Sequence, residues 1–123
     1  MVDASNVRVT IGFVDAEWDA DERETAAQNL RRSLADLDEV ESVERVPEIA
    51  PDGSKGLGFV TGLLMAQVNK ENAKKLFDFL KQRLLGRTIE LEVEGNGKKL
   101  KVKASTEAEL KMAIAEAEKF IAG

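Results

Sequence analysis

Thr88-Ile-Glu-Leu-Glu-Val-Glu-Gly-Asn-Gly-Lys-Lys-Leu-Lys-Val-Lys-Ala104 writes out a β-hairpin almost pair by pair. Asn-Gly is the strongest two-residue hairpin signal, because both central positions of the turn need positive φ. With Asn96-Gly97 as the turn, Ile89, Leu91 and Val93 oppose Ala104, Val102 and Leu100, while Glu90, Glu92 and Glu94 oppose Lys103, Lys101 and Lys99. One face is apolar and the other is a ladder of opposite charges. Each such pair contributes roughly 0.2–1 kcal/mol, so the ladder sets register more than it adds stability.

Outward from the hairpin, the same reasoning places the other elements. Val7, Val9, Ile11 and Phe13 alternate with Arg8, Thr10 and Gly12, which predicts a first strand with one buried face. Asp15 to Asp21 follows as a polar, acidic loop. Asp19 and Asp21 are both N-cap candidates, each with a Glu three residues on, and Ala26, Ala27, Leu30, Leu34 and Leu37 form the stripe of a first helix. Val40–Ile49 reads as a second strand in which Val43 and Val46 are out of phase, which either a bulge or a shorter strand beginning near Val43 would reconcile, and Pro47 argues for an edge position or a strand that ends there. Residues 50–56 read as a mobile loop, being rich in Gly, Pro, Asp and Ser.

Leu57 to Leu85 reads as helical in two pieces. Leu57 to Val68 is apolar on most sides. Asn69 caps a second piece carrying Ala73, Leu76, Phe77, Leu80 and Leu84 at helical spacing, and Gly86 suits its end. Thr106 with Glu109 then opens a last helix whose stripe is Leu110, Ala113, Ile114, Ala117 and Ile121. The expected fold is a single α+β domain over residues 1–123, ordered β-α-β-α-(α)-β-β-α. Its sheet is expected to be mixed, with helices packed on one face.

Composition narrows the chemistry. The 123 residues suit one domain, which buries about two thirds of its unfolded surface without a disulfide or metal. With no Cys, His or Tyr, the usual soft metal ligands, the thiol nucleophile and the neutral-pH proton shuttle are missing. Residues 15–48 hold twelve acidic and four basic side chains, a local net of −8, whereas residues 70–123 net +3 with Lys and Arg interleaved with Glu. That distribution opposes a nucleic-acid backbone. The first residues carry neither a basic nor an apolar signal region, and the longest apolar run covers about 12 residues against the roughly 20 a bilayer span needs. A cytoplasmic protein with no membrane span is expected.

No residue pattern marks a catalytic, cofactor or metal site. Gly56-Leu-Gly-Phe-Val-Thr-Gly62 lacks the Gly-Lys-Ser/Thr of a phosphate loop. The spacing of Gly58 and Gly62 instead suits close approach of a helix, from this chain or from a partner. Paired carboxylates such as Asp19/Asp21 and Asp36/Asp38 are what an acidic solvated face contains by chance. Trp18 is either an interface anchor or a cover over the start of the first helix, the second being the simpler reading. The apolar excess of 57–68 makes Leu57, Phe59, Gly62, Leu63 and Met65, together with Trp18, the candidate partner-binding residues. A bulky residue at 62 is expected to weaken a partner without harming the fold.

Several of these segments together carry a family resemblance. They are Leu37-Asp-Glu-Val-Glu-Ser-Val-Glu-Arg-Val46, the apolar 56–68 segment, the Leu-rich 76–87 segment ending in Arg83 and Arg87, the 89–102 hairpin and the last helix. In that order they resemble the effector-associated constant component family, small accessory proteins encoded beside variable effectors in bacterial conflict and defence systems. The resemblance implies a non-enzymatic adaptor that binds an effector or its regulator. From the residues themselves two rivals stand beside it: a self-assembling structural homodimer that pairs through an exposed strand edge or an apolar helix, and a small hydrolase that uses carboxylates and Lys.

Overall fold

The computed structural model describes residues 6–49, 55–95 and 97–122, with backbone alone for 48–49 and 55–59. The chain runs β1 (Asn6–Phe13), α1 (Ala20–Ala35), β2 (Val40–Ile49), β3 (Lys55–Asn69), a 3-10 turn (Lys70–Asn72), α2 (Ala73–Arg83), β4 (Ile89–Gly95), β5 (Lys98–Ala104) and α3 (Glu107–Ala122). The five strands make one sheet in the order β2-β3-β1-β4-β5, and every neighbouring pair is antiparallel.

Two expectations are corrected here. The sheet is not mixed, and residues 57–68 are not a helix but the main part of a 15-residue strand. The order is therefore β-α-β-β-α-β-β-α. The strand has one buried face, Leu64, Ala66 and Val68, but carries Leu63 and Met65 half-buried on the other, so apolar residues on both faces hide its period of two and the segment reads as a continuous apolar run. Of the mid-chain loop, 50–54 lie outside the described residues, and Lys55 and Gly56 already belong to β3.

The first six elements, β1-α1-β2-β3-α2-β4 in the spatial order β4-β1-β3-β2, are two interleaved split β-α-β units, the ferredoxin-like arrangement. The β4–β5 hairpin continues into β5 and α3, which widen the sheet and its helical layer. Many unrelated activities share this architecture, so it says nothing by itself about function.

The core lies between the helices and one face of the sheet. Val7, Val9, Ile11 and Phe13 from β1, Leu64, Ala66 and Val68 from β3, and Ile89, Leu91 and Val93 from β4 are buried there. They meet Ala27, Leu30 and Leu34 of α1, Leu76, Phe77 and Leu80 of α2, and Leu110, Ala113, Ile114 and Ala117 of α3. β2 pairs only with β3 among the described residues, and its register slips at Val40/Ser42, Arg45/Pro47 and Pro47/Ile49, which is how Val43 and Val46 are reconciled.

The hairpin register is as the sequence reads: Ile89 pairs with Ala104, Leu91 with Val102 and Gly95 with Lys98. Gly97 has φ +74°, and Asn96 lies outside the described residues. The ion pairs run mostly along the diagonal. Lys99 Nζ lies 3.1 Å from Glu92 and 3.9 Å from Glu94, and Lys101 Nζ lies 3.6 Å from Glu90. A twisted two-stranded ribbon brings long diagonal side chains together in this way.

The caps are local and specific. Asp19 accepts from the Glu22 N–H at 2.8 Å and its own N–H donates to the Glu22 carboxylate at 3.3 Å, so of the two candidates Asp19 makes the capping box. Thr106 Oγ1 accepts from Glu109 N–H, but the Glu109 carboxylate reaches back to Ser105 N–H instead of Thr106. Asp19→Ala should cost about 1 kcal/mol, the usual value of a lost N-cap, read as a shift of the urea midpoint at constant slope. An unshifted midpoint would mean that packing alone holds the start of α1.

Candidate interaction surface

β1 pairs with β3 only from Leu63 to Asn69, opposite Gly12 to Asn6. From Lys55 to Gly62, β3 has only β2 beside it among the described residues, with Phe59 opposite Pro47 and Lys55 opposite Ile49. Those eight residues face only four of β2, residues 46–49, so they make a bulged two-stranded ribbon that reaches roughly 13 Å past the sheet along β2, at about 3.3 Å a residue. A ribbon of two strands is marginal alone in water. The base of this one is held by a set of polar contacts that the sequence did not announce.

At that base Gly62 takes φ +73°, a left-handed conformation that L side chains rarely adopt. Its N–H donates to Glu24 Oε1 at 3.2 Å. The Glu24 carboxylate is held in a two-pronged grip by Arg45, with Nη1 to Oε2 at 2.5 Å and Nη2 to Oε1 at 2.6 Å. The Arg45 guanidinium also donates to the backbone carbonyls of Leu63 at 3.0 Å and Val60 at 3.2 Å. Three residues of β3 thus close on a single charged pair, one partner of which comes from α1 and the other from β2. The Arg45 hydrogen bonds, with help from the Gly62 N–H and against the effect of burial, hold the Glu24 carboxyl down at about 2 from an ordinary 4.5. One sequence signal was available. Arg45 is the one basic residue between Arg32 and Lys55, in the most acidic part of the chain.

The sequence-derived candidates fall in three places. Leu57 and Phe59 are on the ribbon backbone, and their side chains lie outside what the structure describes. Leu63 and Met65 are half-buried on the sheet face away from the helices, where Leu63 lies over Gly12 and Met65 is flanked in register by Thr10 and Glu44. Trp18 is on the helix side, stacked on Phe13 with ring centroids 6.4 Å apart and with the Arg87 guanidinium 4.8 Å from its ring. No flat patch contains all of them.

Gly62 is the hinge of the site rather than an open surface. It is buried, and a β-carbon there would lie 3.1 Å from Arg23 Cβ and 3.2 Å from the Phe13 carbonyl oxygen. The expectation that a bulky residue at 62 spares the fold therefore does not fit this geometry. The helix-approach reading of Gly58 and Gly62 goes with the helix itself.

No family model, curated protein or solved structure matches this chain.

What the surface can do follows from its backbone. The outer edge of β2 presents N–H and C=O groups that no other described strand satisfies. A free edge of this kind is a template for an added strand, and Pro47 with the two register slips beside it blunts only its far half. On β3, the strand next in from that edge, Val60 is an exposed large apolar side chain of the ribbon, at 37% of its full accessibility. Among the described residues no group of three or more acidic side chains converges as a metal site, and no helix is long and apolar enough to cross a membrane.

Proposed function

We propose that the protein is a non-enzymatic adaptor of the bacterial cytoplasm, working beside variable effectors in a conflict or defence system. It takes an effector or its regulator on the β2–β3 ribbon. The observation that carries this reading is the ribbon itself: a strand pair continued past the sheet that needs it, anchored at its base by the Glu24–Arg45–Gly62 contacts. Recognition by strand addition uses main-chain hydrogen bonds for affinity and alternate side chains for specificity. The family resemblance of the sequence supplies the biological setting. The same free edge supports one other occupant, a second copy of this chain.

The test is affinity capture of tagged protein from its native host, with Val60→Lys beside wild type. Among the described residues the hydrogen bond of Val60 is through its backbone carbonyl, to Arg45, and its side chain is exposed, so this substitution should shift stability by about 0.5 kcal/mol. Recovery of one or two effector-like or regulatory proteins by wild type and their loss with Val60→Lys is the expected result. The same proteins recovered at the same yield by the variant would remove the ribbon from the interface. Recovery of the protein alone, with a molar mass in light scattering that rises with concentration, would replace the adaptor by a homodimer.

A further inference from the structure

Away from the ribbon, a cleft of about 230 Å3 opens between α1 and the C-terminal end of α2. Its floor is apolar, made by the buried side chains of Phe13, Leu30 and Leu84. Its rim is polar: Asn29 and Ser33, one helical turn apart on α1, face Arg83 and Arg87 across the opening.

The two arginines are the informative part. In a chain of net charge −5 with acidic residues close by, neither guanidinium has a carboxylate within 4.0 Å among the described residues. Each is held by an aromatic face instead, Arg83 at 5.1 Å from the Phe79 ring and Arg87 at 4.8 Å from Trp18. Stacking uses the flat face of the guanidinium and leaves its in-plane N–H donors available. Those donors form a fork that matches the two oxygens of a carboxylate or phosphate. Asn29 and Ser33 add neutral donors on the opposite wall.

We propose that this cleft binds a small organic oxyanion, a carboxylate or phosphate monoester group carried on a short apolar body. The oxyanion lies between Arg83 and Arg87, and the body lies on Phe13, Leu30 and Leu84. The volume is below the roughly 300–1,000 Å3 of a drug-sized pocket, which restricts the ligand to a few heavy atoms beyond the charged group. The adjoining recess shares Asn29 and Arg87 but is lined by Asp19, Asp21 and Glu22. That acidic neighbour disfavours a second negative group, so polyphosphates and nucleic acids are excluded by charge. The site is independent of the adaptor reading and stands or falls apart from it.

Trp18 is the single tryptophan of the chain and carries Arg87 on its ring, so its emission reports on the site directly. Purified protein is titrated with sodium butyrate and with monobutyl phosphate, against butanol and sodium chloride at matched ionic strength. A saturable change in Trp18 emission with either oxyanion, and none with the two controls, is the expected result; the stronger of the two names the head group. Arg83→Gln, which leaves the Trp18–Arg87 stack in place, should weaken binding about tenfold or more, the worth of one charge-assisted pair. The amide resonances of Asn29 and Ser33 should move with wild type and stay still with the variant. A response matched by butanol or chloride, the absence of any saturable response, or an unchanged response in Arg83→Gln would each overturn the site.

Discussion

Gly62→Val should unfold at a temperature roughly 10 °C or more below wild type, from a destabilisation of about 2–4 kcal/mol. Two costs combine. A β-branched residue held at φ +73° loses about 1–2 kcal/mol to the clash of its β-carbon with the backbone. The side chain must also enter a space where its first carbon would lie 3.1 Å from Arg23 Cβ and 3.2 Å from the Phe13 carbonyl oxygen. Overpacking of that kind costs about 1–3 kcal/mol. Gly62→Ala shares the backbone strain but brings only the β-carbon, so it should fall between the two proteins. Thermal unfolding by circular dichroism ranks the three. A valine variant that melts with wild type would show that the left-handed hinge is not required.

The second large effect belongs to Glu24 and Arg45. The Arg45 side chain is only 8% exposed, whereas Glu24 keeps 31%. Arg45→Met leaves the carboxylate with the Gly62 and Gln28 donors but no cation, and strips the Leu63 and Val60 carbonyls of a donor. The expected cost is about 2–3 kcal/mol, below the ~3–5 kcal/mol of a fully buried pair because water reaches Glu24. Adding Glu24→Gln to Arg45→Met should cost far less than Glu24→Gln alone, so the double-mutant cycle must be non-additive. Additivity to within about 0.5 kcal/mol would mean that the two groups do not stabilise each other.

The pair also sets an acid limb. The Glu24 carboxyl lies at about 2 in the folded protein against 4.5 ordinarily, so the folded state favours its ionised form. Its contribution to stability is fully present above pH 4.5 and is lost as pH falls from there toward 2. Urea unfolding between these limits should show wild-type stability climbing with pH and Glu24→Gln climbing less steeply. Parallel curves would remove Glu24 as the source.

These two results concern contacts that no local pattern could display. Glu24 and Arg45 are 21 positions apart, and their meeting depends on β2 crossing to the outside of β3. Gly62 gave a signal, but it was read within the wrong element. A glycine in a helix suggests close helix approach, while in a strand it marks a bend where another backbone group comes near. The candidates Leu63 and Met65 were named for apolar excess, and the strand places them half-buried on the open sheet face. Arg83 and Arg87 were visible only as the basic end of a Leu-rich segment. Their opposite wall, Asn29 and Ser33, comes from a helix 50 to 58 positions earlier.

What the sequence by itself determined are the elements whose periodicity is unambiguous within a few residues. β1 and the β4–β5 hairpin repeat every two residues, with Asn-Gly fixing the hairpin register. α1 and α3 repeat at helical spacing behind side-chain caps. In each, short-range sterics and one buried face give the same answer. Only the tertiary structure decided that residues 55–69 form a strand, that this strand lies between β1 and β2, and that all five strands run antiparallel. With Leu63 and Met65 on the half-buried outer face opposite the buried Leu64, Ala66 and Val68, the segment lacks the polar half of a strand pattern, so its period is not written in its own residues. Its conformation is then chosen by partners distant in sequence, through backbone hydrogen bonds that any side chain permits.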